Sequence, residues 1–266
     1  MSEQGLHIIA INVGNTRTSF GLFEGGKPAW SRALPNDSIA ALVQAIGAAW
    51  DEIEELDRSA LVMASVNPPQ ADRLAEELGK ATKERIYRIG PEVPIPMDHT
   101  VDDVSATGQD RLLAAFAAFN HAGQACVVVD AGTAITVDFV DGVGVFHGGA
   151  IGPGVKMMLR SLHQGAAQLP ELEPVRPDEN DAYGRNTTQA MLNGVFYGAR
   201  GMVRALAERY AEHYGAYPQV IATGGDARLL FEGDELIEHI VDDLVLRGVA
   251  LAASRTMVPG DGQDDE

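Results

Sequence analysis

The chain repeats one supersecondary unit, and this constrains its fold more than any other feature. NVGNTRTSFGLF at 12–23 lies on DAGTAITVDFVD at 130–141, with Asn12 on Asp130 and Gly14 on Gly132. The offset is close to half of the 266 residues. An apolar run precedes each copy, HIIAI in the first and CVVV in the second. A glycine-containing hairpin turn follows each, EGGK and then DGVG. A strand, a glycine turn, a second strand and a hairpin turn, met twice, predict two halves of like fold. The expected class is α/β: two duplicated lobes, each a mixed sheet with helices, with a cleft between. The expected boundaries are 1–121 for the first lobe and 122–258 for the second, with 259–266 a frayed tail.

The remaining segments fill out the two halves. Residues 37–56 carry apolar positions at helical spacing behind Asp37 and Ser38, both able to cap. ALVMASV at 60–66 predicts a buried strand ended by NPP. Residues 69–79 predict a helix that starts at proline and stops at glycine. RIYRIG predicts a short strand, and the Pro- and Asp-rich residues 91–107 a long loop. A helix is expected from Gly108. In the second half, GGAIGPG predicts a glycine loop leading into a helix. Residues 187–214 predict a long helix, and 217–230 a strand, a TGGD turn and a helix. LVLRGVALAASRTM predicts the last helix.

Charge narrows the function classes. The net charge of −18 leaves no excess of Lys and Arg to neutralise a polyphosphate backbone or an anionic bilayer, so neither nucleic acid nor membrane is an expected partner. No apolar run reaches the ~18–20 residues that span a bilayer, and the N-terminus lacks a signal-peptide pattern. A cytoplasmic location is expected. Cys126, the single cysteine, sits in CVVV and reads as a buried structural thiol.

Four segments could carry chemistry. In NVGNT, Gly14 presents no side chain, so backbone can approach a phosphate, and Asn15 and Thr16 add donors. In DAGTAIT, Asp130 ends a buried strand beside Gly132 and Thr133, and a carboxylate there calls for a cation or several donors. In TGGD, Gly224 and Gly225 stand between a strand and a helix, a setting that suits a phosphate or nucleoside. In GQDR, Asp110 and Arg111 open a helix. Asp110 could take a proton from a substrate hydroxyl while Arg111 binds an anion. Each segment alone also admits a plain structural reading: a hairpin, a tight strand–helix turn, or a dipole-complementing Asp.

Taken in order, NVGNT, GQDR, DAGTAIT, GGAIGPG, GRNT and TGGD resemble the type III pantothenate kinases, from about His7 to Ser254, with SVNP at 65–68 and AAQLPEL at 166–172 as further matches. The resemblance implies the actin-like (ASKHA, ribonuclease H-like) fold. It implies transfer of the ATP γ-phosphoryl group to the primary hydroxyl of pantothenate, the first step of coenzyme A synthesis. It also implies Mg²⁺ with ATP, a monovalent cation (K⁺ or NH₄⁺), and a homodimer. By position, Asp110 resembles the general base. Gly108, Gln109 and Arg111 resemble substrate-loop residues, and Thr187 a pantothenate contact. His99 stands where the family has a pocket tyrosine. Asn12, Val13, Gly14, Asn15, Thr16, Arg17, Thr18 and Ser19 resemble the ATP phosphate loop. Gly132, Thr133, Gly224 and Gly225 resemble further ATP-binding residues, and Asp130 the monovalent-cation ligand.

One departure bears on catalysis. The family pattern opens its first loop with Asp, and this chain has Asn12, a neutral near-isostere at the expected divalent-metal position. Losing that carboxylate should cost about tens- to thousands-fold in rate. Two other readings therefore stay open: a weakly active or inactive nucleotide-binding homologue, and a same-fold kinase for another hydroxy acid.

Overall fold

The structure, a computed structural model, describes residues 6–178, 180 and 182–257. The tail at 259–266 lies outside the described residues. The chain divides into two compact units. The first takes residues 6–97, 103–117 and 243–257, and the second takes 98–102 and 118–242.

The first unit is built on β1 (His7–Val13), β2 (Arg17–Glu24), β3 (Lys27–Pro35), β4 (Ser59–Ser65) and β5 (Ile86–Arg88). Their order across the sheet is β3-β2-β1-β4-β5. β1 runs antiparallel to β2 and parallel to β4. Its odd-numbered Ile9, Ile11 and Val13 join a core with Leu42, Ile46 and Trp50 of α1 (Ile39–Asp51) and Leu74 and Leu78 of α2 (Pro68–Thr82). Ile8 and Ala10 point to the opposite face and are equally buried. α7 (Leu244–Met257), the last helix of the chain, packs across β1, β2 and β4. A sheet covered on both faces explains why HIIAI reads as a continuous apolar run. α3 (Gln109–Ala122) begins in this unit, where Leu113 meets Gly248 of α7.

The second unit repeats the plan with β6 (Cys126–Ala131), β7 (Ala134–Val140), β8 (Phe146–Pro153), β9 (Gln219–Thr223) and β10 (His239–Ile240), in the order β10-β9-β6-β7-β8. β6 is antiparallel to β7 and parallel to β9, as β1 is to β2 and β4. Read from the other edge, the two strand orders coincide, so the expected duplication of a mixed sheet is present. The core joins Val127, Val129 and Ala131 to Val195, Phe196, Ala199 and Val203 of α5 (Thr187–Tyr214). α4 (Val155–Gly165) and the short α6 (Ala227–Phe231) complete it.

Ser38 is the N-cap of α1, its hydroxyl accepting from the Ala41 amide at 3.2 Å. EGGK does turn between β2 and β3, with Gly25 and Gly26 both at positive φ. Two expectations need correction. GGAIGPG is not a loop: it forms most of β8, where Thr136 pairs with Ile151 and Val137 with Ala150. Ladder bonds to β7 hold it, and its glycines hide the alternation that would mark a strand. α2 does not stop at Gly79 but continues to Thr82, closed by Lys83 in the left-handed region. KPAWSRALP, which carries no clear strand pattern, is the edge strand β3.

Candidate active site

In the first unit the loop between β1 and β2 is tight. Val13 pairs with Thr18, and the Gly14 N–H donates to the Arg17 carbonyl at 3.0 Å. In the second unit Ala131 pairs with Ile135, and the Gly132 N–H donates to the Ala134 carbonyl at 2.9 Å. Each glycine amide is thus used to close its own turn. What the first loop offers to an anion is carried by Asn15, Thr16 and Arg17, all exposed, while Val13 and Thr18 are buried beneath them and Ser19 is half-buried.

Asn12 lies near the end of β1, where it pairs with Ser19 just past this loop. Its Oδ1 is buried and accepts no hydrogen bond. A lone buried acceptor carries a desolvation cost unless an electropositive partner meets it. An Mg²⁺ ion, or water bound to one, fits that description. The oxygen is neutral, and among the described residues no cluster of three or more His, Cys, Asp or Glu side chains could cage a metal unaided. The donor set therefore suits a divalent ion that arrives on phosphates and keeps its waters.

Asp110 opens α3. Its Oδ1 accepts from the Arg111 N–H at 2.8 Å and lies against the Cα of Gly108, where an added Cβ would stand only 2.5 Å away. Burial pushes the Asp110 pKa up; the Arg111 amide and guanidinium pull it down by less. The result is a poised carboxylate at a helix start, with a cationic side chain on the next residue. Gln109 is occupied differently. Its Oε1 accepts from the Ser65 N–H at 3.3 Å and its Nε2 donates to the Ile89 carbonyl at 3.0 Å. It ties the start of α3 to the ends of β4 and β5.

In the second unit Asp130, Gly132, Thr133, Gly224 and Gly225 come together at the ends of β6 and β9. Gly224 has φ +96°, and a Cβ there would lie 2.4 Å from both the Ala131 carbonyl oxygen and Asp130 Oδ1. Only glycine lets the TGGD turn sit this close to the carboxylate. The Asp226 N–H donates to the Ala131 carbonyl at 2.9 Å, locking the two segments. The Asp130 carboxylate beside the exposed Gly224 is an anionic oxygen donor of the kind a monovalent cation accepts.

Two further expected residues, His99 and Thr187, belong to the second unit. His99 is exposed and bridges to Phe146 of β8, flanked by bonds from Thr100 N–H to Phe146 O and from Phe146 N–H to Asp98 O. Thr187 starts α5 after the cap Asn186, and lines an open pocket of about 600 Å³ with Leu162, Leu169, Arg185 and Met191. Asn36 was not singled out from sequence, yet it bonds the first loop at three points: Gly14, Thr16 and Thr18. No local motif marks it, because these contacts form only once β3 returns beside the loop.

Comparison with known proteins gives the geometry a family. The family model described as type III pantothenate kinase matches residues 8–209. A type III pantothenate kinase of Rhodospirillum rubrum is 34% identical over 93% of this chain and 98% of its own length. That of Syntrophotalea carbinolica is 32% identical over 92% and 97%. Among solved structures, the activator of the 2-hydroxyisocaproyl-CoA dehydratase from Clostridium difficile, with bound ADPNP, superposes with a TM-score of 0.53 at 12% identity, covering 94% of each chain. This last likeness bears on fold alone, and agrees with the actin-like fold that the family resemblance implies. The chain belongs to the type III pantothenate kinase family.

Proposed function

We propose that the chain phosphorylates pantothenate at its primary hydroxyl at the expense of ATP, the entry step of coenzyme A synthesis. The observation that carries this reading is Asp110: a half-buried carboxylate whose pKa is raised by burial, fixed by Gly108 and the Arg111 amide. In this role Asp110 accepts the hydroxyl proton as the hydroxyl oxygen forms its bond to the γ-phosphorus and the bond to the ADP oxygen breaks. A carboxylate with an upward-shifted pKa is a stronger base once ionised. Arg111 pairs with the pantothenate carboxylate. By the family resemblance, Gly108 and Gln109 of the first unit and His99 and Thr187 of the second take acceptor roles, Gln109 by holding α3 in place.

Residues 12–19 carry the ATP phosphates, with Gly132, Thr133, Gly224 and Gly225 as further nucleotide contacts. Mg²⁺ would be held by the phosphates and Asn12 Oδ1, and supplies charge neutralisation of the transferring group. Asp130 would hold K⁺ or NH₄⁺. The working form is a homodimer. The neutral Asn12 favours a second reading, a homologue that binds nucleotide but turns over weakly. The test is mass-spectrometric detection of phosphopantothenate from ATP, Mg²⁺ and K⁺, with other hydroxy acids as competitors. Product from pantothenate that disappears in Asp110→Asn supports the proposal. Nucleotide binding without product contradicts it, and preference for another hydroxy acid moves the chain to a different substrate.

A further inference from the structure

We infer that Asn36 is the positioning residue of the phosphate loop, an inference that rests on the reading of residues 12–19 as that loop. Asn36 follows β3 and uses every hydrogen-bonding group it has. Its backbone N–H donates to the Thr16 carbonyl at 3.0 Å. Its Nδ2 donates to the Gly14 carbonyl at 2.8 Å, and its Oδ1 accepts from the Thr18 hydroxyl at 2.7 Å. Its own carbonyl accepts from Gln70 Nε2 at 3.2 Å. Thr18 is fully buried, so water cannot replace the acceptor its hydroxyl finds in Asn36.

These bonds grip alternate residues of the loop and leave Asn15, Thr16 and Arg17 facing outward. They also join the loop to a closed circuit. Gln70 lies in the first turn of α2, where its N–H donates to the cap Asn67 at 3.4 Å. The Asn67 N–H donates to the Ser65 hydroxyl at 2.9 Å, and that hydroxyl donates to the Val13 carbonyl at 3.3 Å, back at the foot of the loop. The Ser65 N–H is the group bonded by Gln109, next to Asp110. The loop and the start of α3 thus share one anchor. The side chain at 36 must present a donor to Gly14 and an acceptor to Thr18 at once. An amide does this. A carboxylate would set an oxygen against the Gly14 carbonyl and add negative charge beside a phosphate loop.

Amide hydrogen exchange at Gly14, whose N–H closes the loop, and the KM values for ATP and pantothenate test this in Asn36→Ala, Asn36→Asp, Thr18→Val and the Asn36→Ala/Thr18→Val double variant. In Asn36→Ala, exchange at Gly14 and the KM for ATP should each rise about tenfold, with the KM for pantothenate changing by less than about twofold. Asn36→Asp should not restore the KM for ATP. Thr18→Val should loosen Gly14 partially, and the double variant no further than Asn36→Ala, because the two share one bond. Gly14 exchange and ATP KM both within twofold of wild type in Asn36→Ala would overturn the inference. Should Asn36→Ala not fold, unchanged Gly14 exchange in Thr18→Val overturns it alone. A wild type that neither binds ATP nor phosphorylates pantothenate refutes the functional reading instead, and the exchange comparison still decides whether Asn36 holds the loop.

Discussion

Gly108→Ala should disable the enzyme without unfolding it. The new Cβ would stand 2.5 Å from Asp110 Oδ1, and its next neighbour, Val66, is at an ordinary 3.7 Å. To reach 3.4 Å the carboxylate oxygen must withdraw by about 0.9 Å. Gly108 lies outside the positive-φ residues, so alanine meets no backbone strain, and the obstructing atom ends a side chain that can rotate. The stability cost should be small, with Tm within about 2 °C of wild type. Catalysis should respond differently, since a misplacement on the order of 1 Å costs about a hundredfold, or about 2.7 kcal/mol of barrier. ADP release coupled to pantothenate addition gives kcat and both KM values, and a melting curve gives Tm. The expected result is a kcat about a hundredfold lower with little change in the KM for ATP. A kcat within threefold of wild type in a folded Gly108→Ala protein would show that the placement of Asp110 does not govern the rate.

Asp110→Asn should lower kcat by about 10²–10⁴ while the protein becomes no less stable at neutral pH. Burial raises the Asp110 pKa above its ordinary 3.8, so the folded state holds that proton more tightly than the unfolded chain. The resulting stability is full below the ordinary carboxylate pKa and is lost as pH rises through the raised one. By the same shift, the ascending limb of kcat/KM against pH should lie above the ordinary carboxylate range; a limb at or below it would contradict the assignment. Gly224→Ala should cost roughly 1–2 kcal/mol from backbone strain alone, a Tm fall of roughly 2–8 °C. It should also weaken binding of a fluorescent ATP analogue, because the new Cβ meets Asp130 Oδ1 and the Ala131 carbonyl. Undiminished Tm and affinity would mean that this turn does not need its close approach.

The sequence made the duplication legible because both copies place a glycine where a chain reverses between two strands, and β1–β2 and β6–β7 form there. Strands buried on both faces were readable from their apolar runs. β8 was not, since Gly148, Gly149 and Gly152 erase its alternation and only the β7 ladder makes it a strand. Asp110 and Asp130 stand out in the sequence by residue type and setting. Gln109 could be found by its motif, but its bonds to Ser65 and Ile89 required β4 and β5 to be in place. Asn36 carried no sequence signal, because its three bonds to the loop depend on the β2–β3 hairpin returning it there.

Whether a first loop with a neutral Asn12 supports phosphoryl transfer decides whether this chain is a working kinase. The most direct measurement is Mg²⁺-dependent kcat/KM for pantothenate in wild type and Asn12→Asp, with Mn²⁺ affinity of each ATP complex measured in parallel. The predicted result is measurable phosphopantothenate formation by wild type, raised about tens- to thousands-fold in Asn12→Asp, with tighter metal binding. No product from wild type, with ATP and metal bound normally, would contradict the claim that this chain is a working pantothenate kinase.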